Sequence, residues 1–142
     1  EVAALRVKAE SGGAAAMRTL GFSYRDGLRG LKKDDTLAFI WLKRAADLKD
    51  VYAIQACGIR YLSGKGVERS DSRGISMLSW AAALGSEHAC GILGQLNEEG
   101  LCGFDKNPQE ATRLYREMQK CDHRDSNEGC REKAAAWLRE HP

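Results

Sequence analysis

The stretch Gly64-Lys65-Gly66, followed by Arg69 and Arg73, has the residue types of a phosphate cradle: small residues that bare backbone amides, with cations close by. Such a loop follows a strand and opens a helix, whereas the residues ahead of Gly64 carry the spacing of a helix. Five cysteines (Cys57, Cys90, Cys102, Cys121 and Cys130) raise thiol or metal chemistry. His88 and Cys90 stand two residues apart, which on a helix turns them about 200° from each other, so they cannot share one ion. Cys121-Asp122-His123, with Cys130 as a third ligand, is the better metal candidate, but no Cys-x-x-Cys pair accompanies it. No Gly-x-Ser-x-Gly elbow occurs, and three histidines supply few bases for a nucleophile. The acidic pairs Asp34-Asp35 and Glu98-Glu99 fall at helix ends, where capping and solvation account for them. The expectation is a non-enzymatic chain with no catalytic residues, no bound metal and no cofactor.

Composition narrows what can hold these residues. The 142 residues suffice for one compact domain or a short repeat array. With 22 basic and 20 acidic side chains the net charge is +2. Residues 1–71 carry thirteen basic and nine acidic side chains, and residues 72–142 carry nine and eleven. That tilt lacks the basic stripe a nucleic-acid binder needs to displace counterions. No apolar run approaches the ~20 residues of a membrane-spanning helix, so neither nucleic acid nor direct membrane insertion is expected. The chain opens on Glu1 rather than methionine, which reads as a fragment or a processed form. Alanine is abundant, prolines occur only at 108 and 142, and Val and Ile are too scattered for alternating strands. Helices joined by glycine-containing turns are what this composition supports.

The chain repeats itself every 36 or 37 residues. Ala16, Ala53 and Ala89 fall in step, as do Gly21, Gly58 and Gly94, then Gly27, Gly64 and Gly100, then Gly30, Gly66 and Gly103. Leu31, Val67 and Phe104 follow, and a small residue opens the next segment as Ala38, Gly74 and Ala111. The counterparts of the Gly64-Lys65-Gly66 loop read GLRGL and GLCGF. A lysine present in one copy of three is not why the glycines are there, so the loop reads as a turn. Each period predicts two helices, the first near 14–26, 51–63 and 87–99, the second near 34–48, 70–84 and 107–121. Asp34 or Asp35, Ser70 and Asn107 stand as N-caps, and Pro108 suits a first helical position. Trp41, Met77 and Leu114 recur on one face of the second helices, beside Leu42, Leu78 and Tyr115. No single hairpin buries its apolar face alone, so stacking must supply the core.

The segments AMRTLGFSYRDG, AIQACGIRYLSGKGV and ACGILGQLNEEG resemble the first helix of Sel-1-like repeats, a branch of the tetratricopeptide-type helical repeats; DDTLAFIWLKRAADLKDVYA resembles the second helix and the turn onward. Cys57 and Asn97 depart from the Leu and Tyr of that pattern, and Gly74 replaces a usual Ala. The resemblance implies an all-α fold, an α/α superhelix or solenoid of about three helix-turn-helix repeats closed by a C-terminal capping helix. On this reading residues 1–142 form one domain: 2–12 end a preceding repeat, 14–50, 51–86 and 87–124 are repeats, and 127–140 are the cap, with Trp137 and Leu138 covering the last hairpin.

Such repeats imply a protein-binding scaffold or adaptor, or a subunit of a larger complex, with the partner on the concave face lined by first helices. The corresponding positions are Arg18, Phe22 and Arg25, then Gln55, Ile59 and Leu62, then Gln95, Glu98 and Glu99. Cys121 and Cys130 resemble the inter-helix disulfide of cysteine-rich members, one residue further apart than usual. Cys90 matches a second cysteine position whose partner here is Ala82, and Cys57 is expected in the core. A bridged Cys121–Cys130 would place the chain in an oxidising compartment (secreted, periplasmic, endoplasmic reticulum or mitochondrial intermembrane space), and reduced thiols in the cytosol. The alternative function is a cysteine-dependent thiol-redox or metallochaperone assembly factor.

Overall fold

The structure is a computed structural model that describes residues 2–120 and 128–142. Among the described residues there are eight helices and no strand: α1 (Val2–Glu10), α2 (Ala14–Asp26), α3 (Asp35–Asp47), α4 (Val51–Ser63), α5 (Asp71–Ala83), α6 (Glu87–Glu99), α7 (Pro108–Lys120) and α8 (Glu128–Glu140). None of them is long and apolar enough to cross a membrane. The fold class is the all-α helical repeat expected from the sequence. The chain forms two compact units, residues 1–77 and 78–142.

Side-chain caps fix where the helices begin. Asp34 rather than Asp35 caps α3, its Oδ1 accepting from the Leu37 amide at 2.9 Å. Asp50, Ser86 and Asn107 accept in the same way from Ala53, Ala89 and Glu110 at 3.0, 3.1 and 3.0 Å. Ser70 accepts from the Arg73 amide at 3.3 Å. Each such bond satisfies an amide that the helix itself leaves without a partner, stabilising by roughly 1 kcal/mol. The first helices stop where Gly27, Gly64 and Gly100 adopt the left-handed conformation, at φ of 66°, 68° and 69°.

In the first unit, α2 packs on α3 and α3 on α4. A Cβ at Gly21 would lie 2.7 Å from the Leu42 side chain and 3.2 Å from the Ala38 carbonyl oxygen. The helices therefore meet backbone to side chain, which is why small residues recur there. Leu20, Leu42 and Ile54 are fully buried at these contacts, each worth about 1.5–3 kcal/mol of apolar burial. The Gly64-Lys65-Gly66 turn folds back onto the start of α3. Gly66 has φ 76°, and a Cβ there would overlap the Asp35 carbonyl. Arg60, only 4% exposed, ties the turn down by donating to Asp35 Oδ1 at 3.1 Å and to the Lys65 carbonyl at 3.3 Å. The lysine contributes its backbone and leaves its side chain exposed. No phosphate cradle is formed.

In the second unit, Gly94 lets α6 approach α7 so closely that a Cβ would lie 2.6 Å from the ring of Tyr115. Tyr115 is fully buried, and its hydroxyl donates to Glu98 Oε2 at 2.6 Å. Helix α8 closes the unit. Cys130, Trp137 and Leu138 pack on a core of Cys90, Ala111, Tyr115, Met118 and Ala134. Trp137 meets Tyr115 edge-on at 6.1 Å, and its indole N–H donates to Thr112 at 3.1 Å. Arg131 forks onto the buried Glu87 carboxylate, Nη2 lying 2.7 Å from Oε2. An ion pair therefore fixes α8 beside the start of α6.

Candidate partner-binding surfaces

The residues singled out on the first helices fall into three short rows. On α2, the Arg25 guanidinium covers the Phe22 ring at 4.6 Å while pairing with Asp26 at 2.7 Å. That pairing raises the Arg25 pKa and lowers that of Asp26, chiefly through their hydrogen bond. Arg18 reaches from α2 to the start of α4, pairing with Asp50 at 2.8 Å and lying 5.1 Å over the exposed Tyr52 ring. Arg18 is thereby joined to the very carboxylate that caps α4. On α4, Gln55 and Ile59 are half-buried. Leu62 lies against Gly74, where a Cβ would come within 2.7 Å of it. Leu62 thus packs within its own hairpin. On α6, Gln95 donates to Glu99 at 3.0 Å, and Glu98 is held by the Tyr115 hydroxyl. Within the first unit, Arg18, Asp50 and Tyr52 join the α2 row to α4.

Cys57 and Cys130 occupy settings that suppress thiol reactivity. Cys57 is fully buried on α4, and burial pushes its thiol pKa up to about 12. Burial, reinforced by the Glu87 carboxylate, also raises the Cys130 pKa. A thiol is nucleophilic only as the thiolate, so both shifts weaken reactivity. None of Cys57, Cys90, Cys102 and Cys130 is disulfide-bonded to another of the four. Cys121 and His123 lie outside the described residues, and with them the expected Cys121–Cys130 bridge and the metal candidate.

One cavity was not anticipated from the sequence. In the second unit a cavity of about 490 Å³ opens between α5 and α7, with α6 as its floor. Ala82, Ala83, Leu93 and Leu114 give it apolar walls, and Asn97 lies at its base. Glu110, Arg113 and Glu117 of α7 also line it. Glu110 and Arg113 form a two-pronged pair at 2.6 and 2.8 Å, which lowers the Glu110 pKa and raises that of Arg113. Asn97 is 4% exposed and donates to the Leu93 carbonyl at 2.9 Å. The sequence did contain a signal. Asn97 breaks the Tyr24–Tyr61 column, but only the packed helices reveal what the loss of that ring opens.

Comparison with known proteins agrees with this hairpin geometry. The Sel1 repeat family matches residues 14–50, 51–86 and 88–118. A Sel1 repeat protein from Oxalobacter formigenes superposes with a TM-score of 0.73 at 31% identity, over 80% of this chain and 45% of that one. The antigen c5321 of uropathogenic Escherichia coli, described as displaying an SLR fold, gives a TM-score of 0.78 at 31% identity, over 84% of this chain and 25% of that one. Among curated proteins, the ERAD-associated E3 ubiquitin-protein ligase component HRD3A of Arabidopsis thaliana is 37% identical over 62 residues, 44% of this chain and 9% of HRD3A. The chain thus spans less than half the length of each of these relatives. With the repeat matched over most of its residues, the chain belongs to the Sel1 repeat family.

Proposed function

We propose that the chain is a protein-interaction scaffold, an adaptor or a subunit of a larger complex, and that it binds a protein partner through its first helices. The single observation that carries this reading is the bridge from α2 to α4, in which Arg18 pairs with Asp50 and lies over Tyr52. Arginine and aromatic side chains held rigid yet partly exposed are the chemistry of interface hot spots. Phe22 under Arg25 extends that row. Gln55, Ile59 and Leu62 and, on α6, Gln95 and Glu98 complete the proposed contact set, with Leu62 and Glu98 doing so from positions their own hairpins already hold. That HRD3A is named as a component of a ligase supports membership of an assembly. The raised pKa values of Cys57 and Cys130 weigh against the thiol-redox alternative.

The test is crosslinking affinity capture with the intact chain and with Phe22→Ala, Ile59→Ala and Gln95→Ala variants. Loss of a hot-spot side chain is expected to weaken partner binding by on the order of ten-fold or more. Retention of every partner by these variants, with loss on changing a remote surface residue such as Arg139, would contradict the proposal.

A further inference from the structure

The two glycine turns of the first unit bring an excess of positive charge to one edge. Residues 25–35 and 60–73 hold eight basic and five acidic side chains, whereas residues 98–108, the counterpart of 25–35 in the second unit, hold one and three. The chain as a whole carries only +2, so its positive charge is concentrated here. The two turns are neighbours. Gly66 rests against the Asp35 carbonyl, and Arg60 joins Asp35 to the Lys65 carbonyl. Asp26 is held below the usual carboxylate range first by its hydrogen bond to Arg25 and, more weakly, by charges that include both Arg60 and Lys33. Most carboxylates of this edge are already engaged: Asp26 by Arg25, Asp35 by Arg60, Asp71 by Arg69, and Asp34 as the cap of α3. Lys32, Lys33 and Lys65 are exposed and make no hydrogen bond or close ion pair among the described residues, where Glu68 is the one carboxylate of the set in the same state. Leu28, 53% exposed, stands on the first of these turns, its carbonyl accepting from the Leu31 amide at 3.0 Å.

We propose that this edge docks an acidic segment of a protein partner, a stretch of aspartates and glutamates carrying an aliphatic side chain that covers Leu28. The charge left over after the internal pairs is cationic, so complementarity selects an anionic partner and disfavours a basic one. Ammonium groups on flexible stems suit carboxylates spaced along a peptide, whereas a single phosphate is better matched by a fixed guanidinium fork. Three free lysines also fall short of the stripe that displaces counterions from a duplex, which sets this partner apart from a nucleic acid. Exposed ion pairs are individually weak and screened by salt. Burial of Leu28 adds an apolar contact that salt does not screen.

The test is NMR titration of the isotopically labelled chain with four probes: acetyl-Asp-Glu-Leu-Asp-Glu-amide, acetyl-Asp-Glu-Ala-Asp-Glu-amide, acetyl-Lys-Lys-Leu-Lys-Lys-amide and a short DNA duplex. The expected result is saturable shifts at the Leu28, Lys33 and Gly66 amides with the acidic leucine peptide, several-fold weaker binding of its alanine counterpart, and none of the lysine peptide. A variant combining Lys32→Gln, Lys33→Gln and Lys65→Gln changes exposed side chains only, so it should keep the wild-type spectrum elsewhere and lose the response. Lys106→Gln, at the position of Lys33 in the second unit, should leave the response intact. Absence of saturable shifts with the acidic leucine peptide, or their persistence in the triple variant, would overturn the proposal. Equal binding of the alanine peptide would reduce the edge to an ion atmosphere and overturn it as well. Tighter binding of the duplex than of the acidic peptide would overturn it in favour of a nucleic-acid surface.

Discussion

The groove over α4 and the groove over α6 share one backbone design, yet one is packed with its own side chains and the other is open. Over α4, Tyr61 and Phe39 close the space, and α3 beside it carries the exposed Lys43–Asp47 pair. Over α6, Asn97, Ser79 and Ala83 stand at the corresponding positions. The positions that set how closely the helices approach do not change in kind: Gly58 and Gly94, Gly74 and Ala111. Frame and filling are thus separable in this repeat. The frame depends on residues too small to vary, whereas the filling varies freely and decides where the surface opens.

The sharpest way to break that separation is to attack the frame. Gly66→Ala places a Cβ at positive φ against the Asp35 carbonyl and is expected to destabilise the chain by about 3 kcal/mol. Gly30→Ala, at the same repeat position with φ 77° and open space around it, should cost only about 1 kcal/mol. Urea denaturation of the two variants measures the difference, and equal losses would deny the turn its role against α3.

The filling can then be emptied where it is complete. Tyr61→Asn copies the second unit's residue into the first and is expected to cost about 3 kcal/mol, because a buried ring is lost and its site cannot fully collapse. A loss below a few tenths of a kcal/mol would mean that Tyr61 does not seal the groove over α4.

A smaller effect separates the two grooves by pH. Cys57 in the first unit is held protonated to about pH 12 by burial, whereas Leu93 at the same position in the second does not titrate. The folded pKa lies above the unfolded one, so the unfolded chain loses the proton first as pH rises. Stability should therefore fall by about 1.4 kcal/mol per pH unit above roughly pH 9. Urea midpoints at pH 8 and pH 10 should show that extra loss in the wild type relative to Cys57→Leu. Parallel losses in both would remove Cys57 from the account.

The mildest change concerns the turns that follow the second helices. Lys49 holds φ 65° where the corresponding Gly12 and Gly85 hold 98° and 91°. Lys49→Gly is expected to stabilise by on the order of 0.5 kcal/mol, relief of left-handed strain outweighing the added chain entropy of glycine. A drop in the thermal midpoint would show that the lysine is not strained.

Much of the frame was legible in the sequence because it rests on single residues. Glycine columns mark turns and close approaches, Asn107-Pro108 marks a helix start, and the three first helices occupy the expected residues 14–26, 51–63 and 87–99. What was illegible depends on side chains brought together from distant segments. Arg60 reads as a surface cation until Asp35 and the Lys65 carbonyl are found beside it. Glu98 and Leu62 read as outward positions, since periodicity alone does not show that Tyr115 and Gly74 reach them. The cavity is harder still. It is a difference of volumes contributed by three helices, and the Asn97 departure gave only one of its terms.

The separation of frame from filling is tested most directly by restoring the missing ring. Asn97→Tyr should fold as the wild type does and raise the urea-derived stability by about 1 kcal/mol through new apolar burial. Ring-current shifts at Ala82, Leu93 and Leu114 should mark the occupied cavity. A destabilised variant whose added ring stays in solvent would contradict the account, because the groove over α6 would then not be the groove over α4 with its tyrosine removed.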